Sequence, residues 1–573
     1  MARSPFMTRL TVLARAQQEA NRRGVDIDEV LGTHAQIAAS DEGMTRRDLM
    51  KKAVIAGAGV TAAGAIIARP AHAAGRAVTP KVIGSQPSIA IIGAGVAGMS
   101  AAMQLKDAGF TNITVYEAGD RVGGRTYTRK NDGFWEAGQW SEWGGELIDS
   151  THKNVFTLCK RFGFGVSDLA SGADDTLWFD GGYYSWADMV NDWKTGKVDQ
   201  AVTRDMQTLP PFPWTYQSTW SNAAKAIDDL SLAQWIDTRI PGGRTSRLGK
   251  FIDVAYNIEF GEEVSRQGAT DLLALLGFSN GTGAGAWWVY GKSDERWKIN
   301  GGNQQISLAQ ADYLGWQNIQ LGWKLTALKT NANGTVTATF NVGGTSRNVT
   351  ADQIVLAVPL GILKQIKAAG GFTQAWSGAQ GALKNGFIDN LGFGANNKLQ
   401  LQIADRFWAG TGPWGTGNGE SYSDSGYQEA WHVTAGQPGS KGIINNYTGG
   451  DVSRLLSAAA KPFIDTNDAS SANRAFINAA AQTFLSQVEP VFPGMTAKWT
   501  GKATLSVWHK NPLSLGAYAY WKPGYMRTFA GSEAAPYGAI HFAGEHTSTD
   551  FQGYIEGGIE SGLRCASEIT ALY

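Results

Sequence analysis

The chain is 573 residues long and 43% hydrophobic, more than one hydrophobic core usually serves, so two interleaved domains are expected. Fifty basic and fifty acidic residues give a formal net charge of zero with no long run of one sign, which excludes nucleic acid and anionic membrane as natural partners. The two cysteines, Cys159 and Cys565, have the spacing of neither a metal site nor a redox pair, and the seven histidines are scattered. The cysteines read as buried thiols, with a single bridge as the alternative, and no metal is expected.

At the amino terminus, Thr45-Arg46-Arg47-Asp48-Leu49-Met50-Lys51 is a twin-arginine signature, followed by a mildly apolar run over 53–68 and a small-residue cleavage site at Ala71-His72-Ala73. The run is too short and too rich in Gly and Ala for a membrane span, which needs about 20 strongly apolar residues. Residues 1–73 are therefore expected to be a leader that exports an already folded protein, making it periplasmic or secreted.

Ile89-Ala90-Ile91-Ile92 reads as a strand buried on both faces and passes into Gly93-Ala94-Gly95-Val96-Ala97-Gly98. A helix is predicted to follow, with Gly109 closing it, and then a second strand, Ile113–Tyr116, ending in Glu117. This is one βαβ unit with the glycine spacing that turns tightly, admits a pyrophosphate to the backbone and packs the helix on the strand. Glu117 stands close to the position, about 20 residues on, from which a carboxylate grips a ribose hydroxyl and repels a 2′-phosphate. FAD or NAD is implied. A second copy of the glycine pattern, Gly57 to Ala62, has no acidic residue after it until Asp107 and carries no such meaning.

Just past Glu117 and Ala118, Asp120-Arg121-Val122-Gly123-Gly124-Arg125-Thr126 adds two glycines and two guanidinium groups beside the same phosphates. This segment resembles the second dinucleotide motif of the flavin-containing amine oxidase family. The resemblance makes the cofactor FAD and places Gly93, Gly95, Ala97, Gly98, Glu117, Ala118, Arg121, Gly124 and Arg125 against it. A similar family segment is Gly138 to Leu147, whose Gly144 and Gly145 are implied to run over the flavin ring, with Glu146 in or beside the substrate cavity. A helix is predicted from about Asn154 to Phe162.

From Val166 to about Leu276 the pattern is irregular, aromatic and helical, the candidate substrate domain, and its tryptophans, like Trp287-Trp288, read as core. Ser293 to Gln305 resembles the family's return to the FAD domain, with Asn303 placed to cap a helix over 304–313. Trp323–Leu328, Thr335–Phe340 and Arg347–Thr350 alternate as half-buried strands separated by Asn333-Gly334 and Gly343-Gly344, which predicts a meander. It leads to the apolar run Ile354–Val358, ended by Pro359, suited to a central parallel strand. Leu391 to Leu401 resembles the family segment whose lysine holds a water against the flavin N5, which assigns that role to Lys398. A lysine guarding an edge strand is the alternative. The polar, glycine-rich stretch 410–442 reads as a long surface excursion, followed by a strand over Ile443–Tyr447.

Three segments near the carboxyl terminus resemble the same family in the right order: Leu513–Tyr520, Ile540–His546 and Gly553–Gly562. They imply that Gly544 and Glu545 lie against the flavin ribitol and that Gly553, Tyr554 and Ile555 open a helix whose partly positive end faces the ring. Tyr518 and Tyr554 fall where the family sets two rings facing each other, a cage that aligns an amine through the ring quadrupoles. Ala517 stands where some members carry a cysteine joined to the flavin, so the FAD is implied to be noncovalent.

The resemblance implies an α/β protein: a glutathione-reductase-like FAD-binding Rossmann domain over 87–165, 296–365 and 501–573, interleaved with an α+β substrate-binding domain over 166–295 and 366–500. The implied activity is an FAD-dependent amine oxidase that takes hydride from an amine-bearing carbon and reduces dioxygen to hydrogen peroxide, leaving ammonia and a carbonyl product. Lys398, Tyr518 and Tyr554 are its implied catalytic groups, and Glu146, Tyr518 and Tyr554 its substrate contacts. Partners are then a small amine or amino acid and dioxygen, and a homodimer is compatible with the sequence. Many L-amino acid oxidases have an arginine near Glu146 and Leu147 for the substrate carboxylate, and this chain does not. Gly-Gly-Glu-Leu-Ile-Asp and Ser-Asp-Glu-Arg-Trp nevertheless resemble bacterial amino-acid oxidases, so an aromatic or bulky L-amino acid is favoured, with a monoamine as the alternative. Two rivals share the motifs: a dehydrogenase that passes electrons to a periplasmic carrier, and a binding protein that keeps the fold without turnover.

Overall fold

A run of four apolar residues can be buried on both faces only where helices cover a parallel sheet on either side, and Ile89–Ile92, each at most 2% exposed, is such a strand. The computed structural model describes residues 86–171, 173–277 and 295–573. The twin-arginine stretch, the glycine pattern at Gly57, Trp287-Trp288 and Ser293-Asp294 lie outside the described residues. Ile89–Ile92 is the central strand of a five-stranded parallel sheet in the order Ile540–Phe542, Gln353–Leu356, Ile89–Ile92, Ile113–Glu117, Ile319–Leu321. The strand predicted to end at Pro359 thus lies directly beside the first, and the strand ending at Phe542 closes the other edge. Helix Val96–Asp107 starts within four residues of the first strand and packs on the carboxyl-terminal helix Ile555–Thr570 and on helix Gln304–Leu314.

The predicted meander forms, as Trp323–Thr330, Val336–Val342 and Thr345–Ala351 in antiparallel register with its turns at the two glycine pairs. Asn303 does not act as the side-chain cap of helix Gln304–Leu314. Its side-chain Nδ2 instead donates to the carbonyls of Gly145 (3.0 Å) and Glu146 (2.8 Å), which orients the side chain toward that loop.

The second unit is built on a larger sheet whose path runs Phe463–Asp465, Trp499–Val507, Asn396–Ile403, Gly442–Gly449, Glu429–His432, Gly415–Ser423, Asp174–Phe179 and Gly182–Tyr183. Strand Trp499–Val507 therefore spans the 500/501 boundary drawn from the sequence. The stretch 410–442 is not a surface excursion: it contributes two interior strands of this sheet, with Ser421, Tyr422, Glu429 and Ala430 buried. Its polarity hid it, since its buried face carries hydroxyls and carboxyls that satisfy one another, as where the Tyr422 hydroxyl lies 2.7 Å from Glu420 Oε1 and 2.9 Å from Glu429 Oε1. The helices over 186–277 complete the unit, and Trp193 and Trp235 are fully buried in its core, as predicted for the tryptophans there. No described helix is long and apolar enough to cross a membrane, and the two cysteines are free and buried.

Candidate active site

Two loops meet back to back under the first helix. The amide of Gly123 donates to the Ala94 carbonyl at 2.8 Å, which sets the turn at Gly93 against the turn at Gly124. Gly93 has φ +107°, and a Cβ there would lie 2.4 Å from the Ala357 carbonyl oxygen, while a Cβ on Gly98 would lie 2.0 Å from the Gly93 carbonyl. No side chain other than hydrogen fits either position. Glu117 braces the turn: its two oxygens accept from the amides of Ala94 and Gly119, each at 2.7 Å. Burial pushes this carboxyl upward, and the two amides oppose the shift.

Above the loops lies a cavity of about 300 Å³. Gly93, Gly95, Ala97, Glu117, Ala118, Arg121, Gly124, Arg125, Gly544, Glu545, Gly553, Tyr554 and Ile555 all line it, so residues from both ends of the chain enclose one space. Helix Val96–Asp107 begins at Gly95 and helix Ile555–Thr570 begins at Tyr554, and no side chain caps either amino terminus. Amides left open at two helix starts beside one cavity, over a cradle of glycines, fit a dinucleotide pyrophosphate and an anionic ring edge. The two guanidinium groups line the cavity as expected, but the structure gives each a protein partner. Arg121 donates to the Gly124 carbonyl (2.7 Å) and lies over the Tyr127 ring, and Arg125 donates to Glu545 Oε1 and to the Ala517 carbonyl, both at 2.7 Å. Burial pushes the Glu545 carboxyl up, but Arg125, His546 and the Gly553 amide together offset it and hold the group below its usual range.

The remaining predicted residues stand behind this cavity, outside its lining. Gly144 is pressed against the Arg125 carbonyl, where a Cβ would come within 1.9 Å, and Gly145 donates to the same oxygen at 3.1 Å. Glu146 is 1% exposed, and both of its oxygens are occupied, Oε1 by Lys298 Nζ and Oε2 by Lys398 Nζ, each at 2.6 Å. The carboxylate expected among the substrate contacts thus faces two lysines, one of them Lys398. Burial would push it up, yet the two ammonium groups hold it down to about 2. Lys398 lies on Asn396–Ile403, between Gly442–Gly449 and Trp499–Val507, so it guards no edge. Its partner is Glu146, and its ammonium sits 5.0 Å from the Trp431 ring.

Tyr554 is 3% exposed and packs edge-on against His152 with ring centroids 5.1 Å apart. Tyr518, 2% exposed, donates its hydroxyl to the Ile258 carbonyl at 2.8 Å. That proton being used, the 3.0 Å contact between the Tyr447 and Tyr518 hydroxyls has Tyr447 as donor. Tyr447 in turn packs on Trp431 with ring centroids 5.0 Å apart. Lys398, Trp431, Tyr447 and Tyr518 are thus one contiguous row. Sequence reasoning missed Lys298, Trp431 and Tyr447, although Lys298 lay within the segment singled out as the return to the FAD domain and Tyr447 within a predicted strand.

A glycine cradle, two open helix starts and a ring-lined interior behind them define a flavin-dependent oxidoreductase. The family model described as flavin-containing amine oxidoreductase matches residues 96–570, and the chain belongs to that family. It is 27% identical to the nicotine dehydrogenase of Pseudomonas putida, over 93% of this chain and 98% of that protein. It is 24% identical to the L-amino-acid oxidase of Mus musculus, over 85% of this chain and 71% of that protein. Among solved structures it is similar to cyclohexylamine oxidase from Brevibacterium oxydans, with TM-score 0.68 and 21% identity over 85% of this chain and 99% of the other. The architecture is accordingly a glutathione-reductase-like FAD-binding domain interleaved with an α+β substrate domain, and the cofactor is FAD; the cradle, Glu117 and the two helix starts line the cavity that fits it. Ala517 offers it no thiol, and neither Cys159 nor Cys565 lines the cavity, so no cysteinyl link to FAD is available there.

Proposed function

We propose that this amine oxidoreductase is an oxidase of small amines that carry no carboxylate. The observation behind this reading is the acidic character of the groups around the aromatic row. Glu429 stands opposite Tyr447 in the strand register, and the acidic groups acting on the Tyr447 hydroxyl are Glu429, whose carboxyl burial pushes up to about 8, Glu259, and Glu295, which burial and its acidic neighbours push well above its ordinary value. The lysines of this interior, Lys298 and Lys398, are both held by Glu146. A substrate carboxylate entering beside Tyr518 would meet acidic groups and two lysines already engaged by Glu146, whereas an amine would find carboxyl partners that its positive charge helps to ionise. The charge pattern therefore favours an amine over the L-amino acid favoured from the sequence.

In this reading Tyr518 and Tyr554 orient the amine by their ring faces, and the surrounding buried side chains exclude water. When bound, FAD supplies the hydride acceptor and returns the electron pair to dioxygen as hydrogen peroxide. The imine product hydrolyses in water to a carbonyl and ammonia. A second reading, a dehydrogenase with a protein electron acceptor, is favoured by the likeness to nicotine dehydrogenase over nearly the full length of both chains. The twin-arginine leader supports export of the folded, FAD-loaded protein to the periplasm or the medium in either case. A screen of peroxide release against monoamines, diamines and L-amino acids tests the substrate class. Turnover confined to L-amino acids would refute it. Reduction of the flavin by the amine under anaerobic conditions, followed by slow recovery of the flavin absorbance in air, would select the dehydrogenase.

A further inference from the structure

We propose that Glu146 and Lys298 are positioning residues that clamp the Lys398 ammonium in its working place. The inference rests on the reading that Lys398 faces the flavin. Three charged side chains, at most 4% exposed, meet at Glu146 with both contacts at 2.6 Å. Taking each such ion out of water costs several kcal/mol, so a plain core would be cheaper.

The arrangement fixes position from every side. Both Glu146 oxygens are engaged, so the carboxylate cannot turn, and the Asn303 amide holds the Gly145 and Glu146 carbonyls. Lys298 is tied by a second bond to the Val433 carbonyl, 2.6 Å away, just beyond the strand that carries Trp431. Lys398 is therefore located between a fixed carboxylate and a fixed indole face. A lone structural staple needs one cation and one anion. Here two ammonium groups share one carboxylate, one at each oxygen. Glu142, itself 1% exposed, stands near enough to feel both Glu146 and Lys398, and its oxygens already accept from the Thr128 hydroxyl and the Asn303 amide. Lys298 keeps Glu146 ionised and centred, and Glu146 holds Lys398 in place.

The test compares FAD-loaded Lys298→Met, Lys298→Arg, Glu146→Gln and Lys398→Met in rapid-reaction reduction by the best amine and in the midpoint potential of the bound flavin. Lys298→Met and Glu146→Gln should slow reduction at saturating amine by roughly tenfold to a hundredfold, as a small misplacement of a working group does. KM should stay within a few-fold, the potential should move negative for Lys298→Met, and Lys298→Arg should restore most of the rate. Should Lys298→Met fail to fold, Glu146→Asp, which keeps all three charges and shortens the arm by one methylene, is measured in its place. A fall in thermal midpoint with rate and potential unchanged would overturn the clamp and leave a staple. If Lys398→Met is itself silent, the placement of Lys398 at the flavin fails instead. If Lys398→Met is slow and the clamp variants are not, only the clamp fails.

Discussion

The contact between Arg125 and Glu545 joins the second glycine loop to the last strand of the parallel sheet, and it is the most direct place to ask whether the two ends of the chain act as one site. Arg125 Nη1 lies 2.7 Å from Glu545 Oε1, with side-chain exposures of 18% and 7%, and the same nitrogen donates to the Ala517 carbonyl. Glu545 Oε2 also accepts from the Gly553 amide at 2.9 Å, one residue before the start of the carboxyl-terminal helix. Replacing Arg125 by Met leaves a buried carboxylate with amide donors only, and breaking such a pair costs about 3–5 kcal/mol. Both residues line the cavity, so the part of that cost needed to rebuild the wall appears in the FAD dissociation constant. Arg125→Met should weaken FAD binding by roughly tenfold to several hundredfold, each tenfold step being about 1.4 kcal/mol. Glu545→Gln should weaken it less, because the amide keeps an acceptor for Gly553. The double variant should be better than the product of the two by a coupling of about 1–3 kcal/mol. Titration of the apoproteins with FAD, followed by flavin fluorescence, measures all four corners of the cycle. Effects that simply add, within about 0.5 kcal/mol, would refute the view that this pair holds the wall.

Gly144→Ala should lose FAD on gel filtration, since its Cβ would stand 1.9 Å from the Arg125 carbonyl and 3.0 Å from the Trp508 ring; an unchanged ratio of flavin to protein absorbance would count against the close approach. Tyr518→Phe removes the donor to the Ile258 carbonyl and the acceptor of Tyr447, and should cost about 1–3 kcal/mol of stability while retaining the ring. Its KM should stay within a few-fold of the parent, and Tyr518→Leu should raise it further; equal values for the two would remove the ring from substrate binding. Burial pushes the Glu142 carboxyl up to about 7 from an ordinary 4.5. The folded state then holds this proton more tightly than the unfolded chain, so the contribution is full below pH 4.5 and is lost as pH rises toward 7, by about 3 kcal/mol in all. Glu142→Gln should therefore gain in thermal midpoint relative to the parent between pH 4.5 and 8, and a gap that does not change with pH would contradict it.

The nucleotide half was legible because its requirements are local. Gly93, Gly95 and Gly98 are spaced by the geometry of one turn, Glu117 ends an adjacent strand, and Ile354–Val358 is apolar because both faces of its sheet are covered. Apolar runs and glycine spacings survive in a one-dimensional record. The substrate half obeys a different logic. The strand over 429–432 and the one before it carry Glu420, Tyr422 and Glu429 inward, so the alternation that marks a half-buried strand is absent and the stretch reads as exposed. Glu146 finds Lys298 and Lys398 only through the fold, from 152 and 252 residues away, and no spacing rule predicts such a pairing. Asn303 was legible as a polar residue before a helix but not in what it binds, since its side-chain partners are two carbonyls from a loop more than 150 residues earlier.

The two halves also handle charge by different means, which bears on how each should fail. Around the cavity, negative charge is met by backbone amides at helix starts that no side chain caps, so what the positions near Gly93 and Gly124 require is the absence of side chains. In the interior behind it, charge is met by side chains at most 4% exposed, where Glu146 is bound by two lysines and removal of any one leaves another ion stranded. Enlarging a residue in the first region excludes the cofactor and leaves an apoprotein. Neutralising a residue in the second leaves the cradle intact, so FAD is retained while the groups facing the amine shift. Flavin content and flavin reduction rate are therefore separable readouts, and each reports on a different part of the chain.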